Sequence, residues 1–256
     1  MEPGLKSHKS KAVARTGKPG AGASRKAEPT DSELEDKIDL LIDEGKNRRA
    51  ERLLRRMLET QPNSVFAHFH LARVYRRINQ DERALYHAHR TLSLSPGEAN
   101  ARLNLGLIYE CMGRTALAFR NYKRELKRNP DSLLTRFNLG HLYFNKHQWR
   151  RASQCFQRCF DARFPYAVEE MVHKLGHCYF KLNDVHACIE LYKNYVLLEP
   201  DSDWATANLG SAMLHAKDYK GAVLRLTRAA RLGSSVEDDL AKAKKLYRKE
   251  RMAKFG

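Results

Sequence analysis

Residues Asn104 to Ser132 read NLGLIYECMGRTALAFRNYKRELKRNPDS, and from Asn138 to Phe160 the chain writes NLGHLYFNKHQWRRASQCFQRCF. The apolar skeleton of the two stretches is shared; the polar residues between are not. Pro62, Pro96 and Pro130 stand 34 residues apart, and Pro200 rejoins the series. Around each proline a Leu precedes a small residue, with a Tyr three positions later. Leu71-Ala72 leads to Tyr75, Leu105-Gly106 to Tyr109, Leu139-Gly140 to Tyr143 and Leu175-Gly176 to Tyr179. Leu209-Gly210 opens a further copy with Met213 in the tyrosine's place. Nine positions after each of these residues a small one returns: Ala84, Ala118, Ala152, Cys188 and Ala222.

This is apolar spacing for two short helices per copy, separated by turns such as Asn79-Gln80-Asp81 and Lys217-Asp218. Small residues such as Gly106 and Ala118 allow the helices of one copy to approach closely, and a bulky replacement would overpack them by about 1–3 kcal/mol. Pro-Asn-Ser at 62–64 and Pro-Asp-Ser at 130–132 and 200–202 stop one helix and supply an N-cap for the next.

These residues resemble tetratricopeptide repeats, whose period and Leu-Gly…Tyr…Ala pattern they share. The resemblance implies an all-α fold: a right-handed superhelical solenoid of antiparallel helix pairs. The copies fall at 31–64, 65–98, 99–132, 133–168, 169–202 and 203–236. The first is degenerate, keeping Leu41, Gly45 and Ala50 but placing Lys37-Ile38 where Leu-Gly is expected. The fourth is two residues longer and carries DARFPYAVEE between its helix and the next. Residues 237–256 follow as a helix with a basic end that shields the last apolar face, as solenoids require.

A formal charge of +17 is the largest compositional anomaly and favours acidic partners. Residues 1–30 set Lys and Arg among Gly, Ser, Pro and Ala; such a segment cannot bury enough surface to offset its ordering entropy and reads as a disordered basic tail. A second cluster, KAKKLYRKER, covers 242–251. No run is long and apolar enough for a membrane span, and the first residues lack the apolar stretch of a signal peptide. The five cysteines, an odd number without an export signal, read as reduced thiols and point to the cytoplasm.

In the family resembled, the first helix of each pair faces the concave side, and six of its positions meet partners. On this chain those positions place Phe66, Phe69, Arg73 and Arg77 in the second copy. They place Asn104 in the third, Phe137, Asn138 and His141 in the fourth, Lys174 and His177 in the fifth, and Asn208 in the sixth. Asn104, Asn138 and Asn208 occupy equivalent positions, and an amide both donates to and accepts from a peptide backbone. The aromatic and basic residues suit a segment mixing acidic and apolar side chains, and bases outnumber acids among the groove positions. The subclass that clamps the C-terminal carboxylate of heat-shock chaperones is excluded. Asn104 fits that clamp, but Arg73, Phe69, Leu134 and Asn138 do not supply the rest.

Other constellations carry less. His173 and His177 share a helical face four residues apart, a spacing open to zinc, but no acidic frame surrounds them and Cys178 points inward. They read instead as groove residues that titrate near neutrality. Cys155 and Cys159 fall on a packing face, while His68-x-His70 and His87-x-His89 alternate across faces and suggest nothing. There is no phosphate loop, nucleophile elbow or dinucleotide fingerprint. The expectation is therefore a non-enzymatic adaptor without metal, cofactor or small-molecule substrate, holding an extended peptide of a partner protein. The alternative is a basic protein docking on RNA, DNA or a ribonucleoprotein through its tail and last helix; membrane attachment has no lipidation motif behind it.

Overall fold

The structure, a computed structural model, describes residues 30–255. The expected basic tail lies outside these residues except for Thr30. Among the described residues there are thirteen helices and no strand. Six pairs run α1 (Asp31–Asp43) with α2 (Asn47–Thr60), α3 (Val65–Arg77) with α4 (Asp81–Leu94), and α5 (Ala101–Cys111) with α6 (Thr115–Arg128). They continue as α7 (Leu133–Asn145) with α8 (Trp149–Asp161), α9 (Val168–Lys181) with α10 (Val185–Leu198), and α11 (Asp203–His215) with α12 (Tyr219–Leu232). A single helix, α13 (Glu237–Phe255), closes the stack on α12.

Each helix packs on its neighbours in sequence, so the pairs form a series with one continuous core. The odd-numbered helices also reach one another, α3 touching α5 and α7 touching α9, and so form the inner wall. α13 contributes buried Ala243 with Leu240 and Leu246 beside it, and Asp239 Oδ2 accepts a 2.6 Å hydrogen bond from Ser211 Oγ.

Three devices recur from pair to pair. The first is the turn inside each pair. Gly45, Asn79, Gly113, His147, Asn183 and Lys217 all take positive φ, from 56° to 72°. After each, the next amide donates back across the helix end, as Gln80 N does to Tyr75 O and Gln148 N to Tyr143 O, both 2.9 Å. This is the left-handed C-terminal motif that satisfies the last carbonyls of a helix.

The second device is the seam within each pair. A Cβ built on Gly106 would stand 2.3 Å from the Tyr122 ring, on Gly140 2.9 Å from Phe156, on Gly176 2.0 Å from Tyr192 and on Gly210 2.7 Å from Leu226. The partner always lies sixteen residues on. Close approach is thus set by a glycine under one large side chain; Ala118 is buried as well, but the tight contact of Gly106 is with Tyr122.

The third device joins successive pairs. In the second to fifth pairs the tyrosine reaches back to the second helix of the preceding pair: Tyr75 Oη donates to Glu51, Tyr109 Oη meets His89 Nε2 at 3.3 Å, and Tyr179 Oη donates to Gln157 at 2.7 Å. Tyr143 instead stands edge-on to Phe119, centroids 4.7 Å apart.

Helix starts follow the local sequence. Ser64, Ser132 and Ser202 accept from the amides of Ala67, Thr135 and Ala205, and Thr30 forms a capping box with Glu33. Where the Pro-x-Ser pattern is missing, α5 and α9 begin after Asn100 and Ala167, both left-handed and without a side-chain cap bond. The fourth pair also leaves differently. α2, α4, α6 and α10 end on extended residues, with φ from −122° to −135°, whereas α8 ends in a left-handed Arg163, with Phe164 N bonded back to Cys159 O at 3.0 Å. That exit turns the longer link so that Phe164 and Tyr166 stand against Phe137, with ring centroids 5.8 and 5.7 Å away.

Candidate binding groove

Two recesses open along the inner wall. The first, of about 600 Å³, is walled by Phe69, Arg73, Arg76 and Arg77 of α3 and by Leu103, Asn104 and Leu107 of α5. Leu134 and Asn138 of α7 complete it, with Phe164 and Tyr166 from the longer link. The second, of about 240 Å³, lies between α9 and α11, where His173, His177 and Phe180 face Asn208, Ser211 and His215. A larger open depression of about 1000 Å³ sits on the outer side, around Gln154, Gln157 and Arg158 of α8.

Of the residues expected in the groove, Phe69, Arg73, Arg77, Asn104 and Asn138 gather in the first recess, and His177 and Asn208 in the second. Phe66 lines neither; its ring packs on His70 with centroids 4.1 Å apart. Phe137 is 3% exposed, buried by Phe156, Phe164 and Tyr166, so its ring supports the wall instead of presenting itself to a partner. His141 and Lys174 lie between the recesses and engage each other, Lys174 Nζ standing 2.9 Å from His141 Nδ1. Glu170 also takes Lys174 at 3.0 Å, and the ammonium sits 5.3 Å from the centre of the Phe144 ring.

The three equivalent asparagines are not alike. Asn138 and Asn208 turn their amide N–H groups onto the carbonyls of Leu134 and Trp204 in their own helices, at 2.9 and 2.8 Å. Asn104 is 5% exposed, and its buried Oδ1 has no partner among the described residues. Such an orphan acceptor is costly and uncommon.

Burial sets the titration of the groove. His70 and His141 are pushed down to about 4, mainly by desolvation, so both are neutral at neutral pH. Of the two histidines expected to titrate near neutrality, His177 is lowered from its ordinary value, by burial first and then by the charge of Lys181. The His-x-His pairs, expected to suggest nothing, do hold one contact: His68 meets His87 at 2.8 Å between their Nδ1 atoms, since α3 and α4 of one pair bring their inner faces together. Burial raises the thiols of Cys155, Cys159 and Cys188 to about 11 and that of Cys178 to about 12, leaving them protonated and inert. Among the described residues no three His, Cys, Asp or Glu side chains are grouped to hold a metal ion.

Charge is divided between the walls. The second helices of the pairs carry twenty Lys and Arg against seven Asp and Glu, the first helices eight against ten. The excess of bases over acids is therefore an outer feature. On the inner wall it is local to α3, where Arg73, Arg76 and Arg77 sit together while α1 carries six acids.

No curated protein sequence matches the chain. Two tetratricopeptide repeat family models match residues 36–99 and 169–202. Among solved structures, the C-terminal part of a TPR repeat-containing protein from Cytophaga hutchinsonii superposes with a TM-score of 0.65 at 16% identity, over 82% of this chain and 84% of that one. YrrB, a TPR protein with an unusual peptide-binding site, gives a TM-score of 0.61 at 17% identity, over 75% and 97%. The type IV pilus biogenesis factor PilW gives 0.60 at 15% identity, over 84% and 99%. The helix pairs thus stack in series as in these structures, and residues 36–99 and 169–202 carry tetratricopeptide repeats.

Proposed function

We propose that this protein is a non-enzymatic interaction scaffold whose inner wall holds an extended segment of a partner protein. One observation carries the reading. The devices that stack the pairs repeat almost unchanged, while the inner wall between them varies from pair to pair and opens into two recesses. A wall that served packing alone would have no reason to bury an unpartnered Asn104 acceptor or to cluster three arginines. Likeness to YrrB, which has a peptide-binding site, accords with this reading. Aromatic and aliphatic walls beside the arginines favour a segment that mixes apolar and acidic residues. Selecting a displayed random-peptide library on the full chain tests the proposal. Enriched peptides should lose binding when Arg77 and Asn138 are replaced by Ala together, with helical content unchanged. Binding indifferent to that pair of changes contradicts it.

A second reading rests on the outer wall. Arg48, Arg49, Arg52, Arg55 and Arg56 on α2 are exposed and pair with no carboxylate within 4 Å among the described residues. This extends the nucleic-acid alternative from the tail and α13 to α2 on the outer wall. Binding of this kind would fall by orders of magnitude between about 50 and 200 mM salt. Retention of a labelled RNA or DNA at the higher salt removes the phosphate contact as its basis.

A further inference from the structure

The longer link of the fourth pair builds a wall that ordinary pairs lack. Left-handed residues bracket it, Arg163 at φ 51° and Ala167 at φ 47°, and between them Phe164 and Tyr166 reach the first recess. Tyr166 stays 59% exposed although its ring stands edge-on to the buried Phe137. A large aromatic held in place yet left open to solvent is a contact surface with one side unfilled.

Opposite that surface stand three arginines. Arg77 donates to the carbonyl of Ile42, and an Arg73 nitrogen lies 3.3 Å from His70 Nδ1, but none of the three meets a carboxylate within 4 Å among the described residues. The Nε of Arg76 is buried and unpartnered, and so is the Oδ1 of Asn104 on α5. Arg73 is strained by its neighbours as well: its pKa is lowered by burial first and then by the charge of Arg77. Asp39 and Asp43 of α1 and Glu110 of α5 lie within electrostatic reach and offset part of this charge. Asp39 is 3.2 Å from His70, however, and Glu110 accepts the hydroxyl of Tyr122, so both are already engaged. One recess thus contains an unused buried donor, an unused buried acceptor, mutually repelling cations and an apolar lip.

Resting on the groove reading above, we infer that the first recess is a selective subsite for an internal Asp or Glu of the bound segment followed closely by a bulky apolar residue. The arginines take the carboxylate, Asn104 Oδ1 accepts a backbone N–H of the segment, and Phe164 and Tyr166 close over the apolar side chain. An internal residue suits the site better than a chain end. The recess is one bay in a wall that continues past α7 toward the α9–α11 recess, so a segment crosses it.

The test uses peptides enriched from a random library on the full chain, then remade singly with Glu→Gln or Asp→Asn, with the apolar neighbour as Ala, and with free or amidated C-termini. The acid-to-amide change should weaken binding about tenfold or more, as expected for charge-assisted hydrogen bonds. R73Q/R77Q protein should no longer distinguish acid from amide. Y166A protein should keep that distinction but lose most of the preference for the apolar neighbour, with its thermal unfolding curve unchanged. Amidating the C-terminus should change nothing. Enriched peptides without an acid, an acid preference that survives R73Q/R77Q, or binding lost on amidation each overturns the subsite while leaving the groove reading intact. A library that yields no peptide, or peptides insensitive to every inner-wall change, overturns both.

Discussion

The seam inside each helix pair and the wall facing the groove belong to the same first helices, yet they obey opposite rules. At the seam, glycines 106, 140, 176 and 210 meet a bulky side chain sixteen residues on, and no L side chain fits beneath it. Two residues earlier on the same helices, equivalent positions hold His70, Asn104, Asn138, Lys174 and Asn208: His70 meets Arg73, Lys174 meets His141, Asn138 and Asn208 bond to their own helices, and the Asn104 Oδ1 has no partner among the described residues. The seam is constrained by steric contact and must repeat. The wall is constrained only by what lies against it, so its variation is where specificity can reside.

The largest expected effect comes from breaking the seam. Gly176→Ala would force a methyl to within 2.0 Å of the Tyr192 hydroxyl and should cost about 3 kcal/mol by chemical denaturation, at the upper end of overpacking penalties. The second pair has Ala72 and Ala88 at the corresponding places. A Gly176→Ala/Tyr192→Ala double variant should therefore lose less than the sum of its two single changes, because the clash and its relief are coupled. Additive losses would show that the contact does not set the approach.

Acid should act next, through the buried imidazoles. His70, His87 and His141 have folded pKa values of about 4, below the 6.5 of an unfolded histidine. The unfolded chain then binds more protons between these values, so stability falls as pH drops from about 6.5 toward 4 and is insensitive to these groups above 6.5. Thermal melts at pH 7 and 5 should show the loss, reduced in a His87→Gln variant. A midpoint that rises on acidification contradicts the assignment.

The helix starts offer a smaller test. Ser132→Ala or Ser202→Ala should cost about 1 kcal/mol by removing an N-cap acceptor, whereas Asn100→Ala removes no cap bond. Lys217→Gly should stabilise slightly, by up to about 1 kcal/mol, because an L residue is held at φ 64° there. Against all of these, Asn138→Ala on the open wall should shift stability by no more than about 0.5 kcal/mol.

The same contrast explains what could be read from the sequence. The repeat declared itself because Leu, Gly, Tyr and Ala recur wherever packing demands them, and the Pro-x-Ser caps recur with them. The turns at Asn79-Gln80-Asp81 and Lys217-Asp218 were legible too, but their left-handed conformation was not, because His147 and Lys217 share it with Gly45 and no chemistry. The resemblance supplied the positions expected to line the groove but not their partners. It could not show that Asn138 and Asn208 bond back to their own helices, that Phe137 is covered, or that His68 and His87 meet across a pair. The two extra residues of the fourth copy were visible as a length. Their direction depended on α8 ending in a left-handed Arg163, a residue type that gives no such signal.

The most direct test of the inner wall as the binding surface is hydrogen–deuterium exchange on the full chain with and without a selected peptide. Protection should appear on α3, α5 and α7 and in the link at 162–167, and leave the outer helices α2, α6 and α12 unchanged. Protection confined to those outer helices would contradict it.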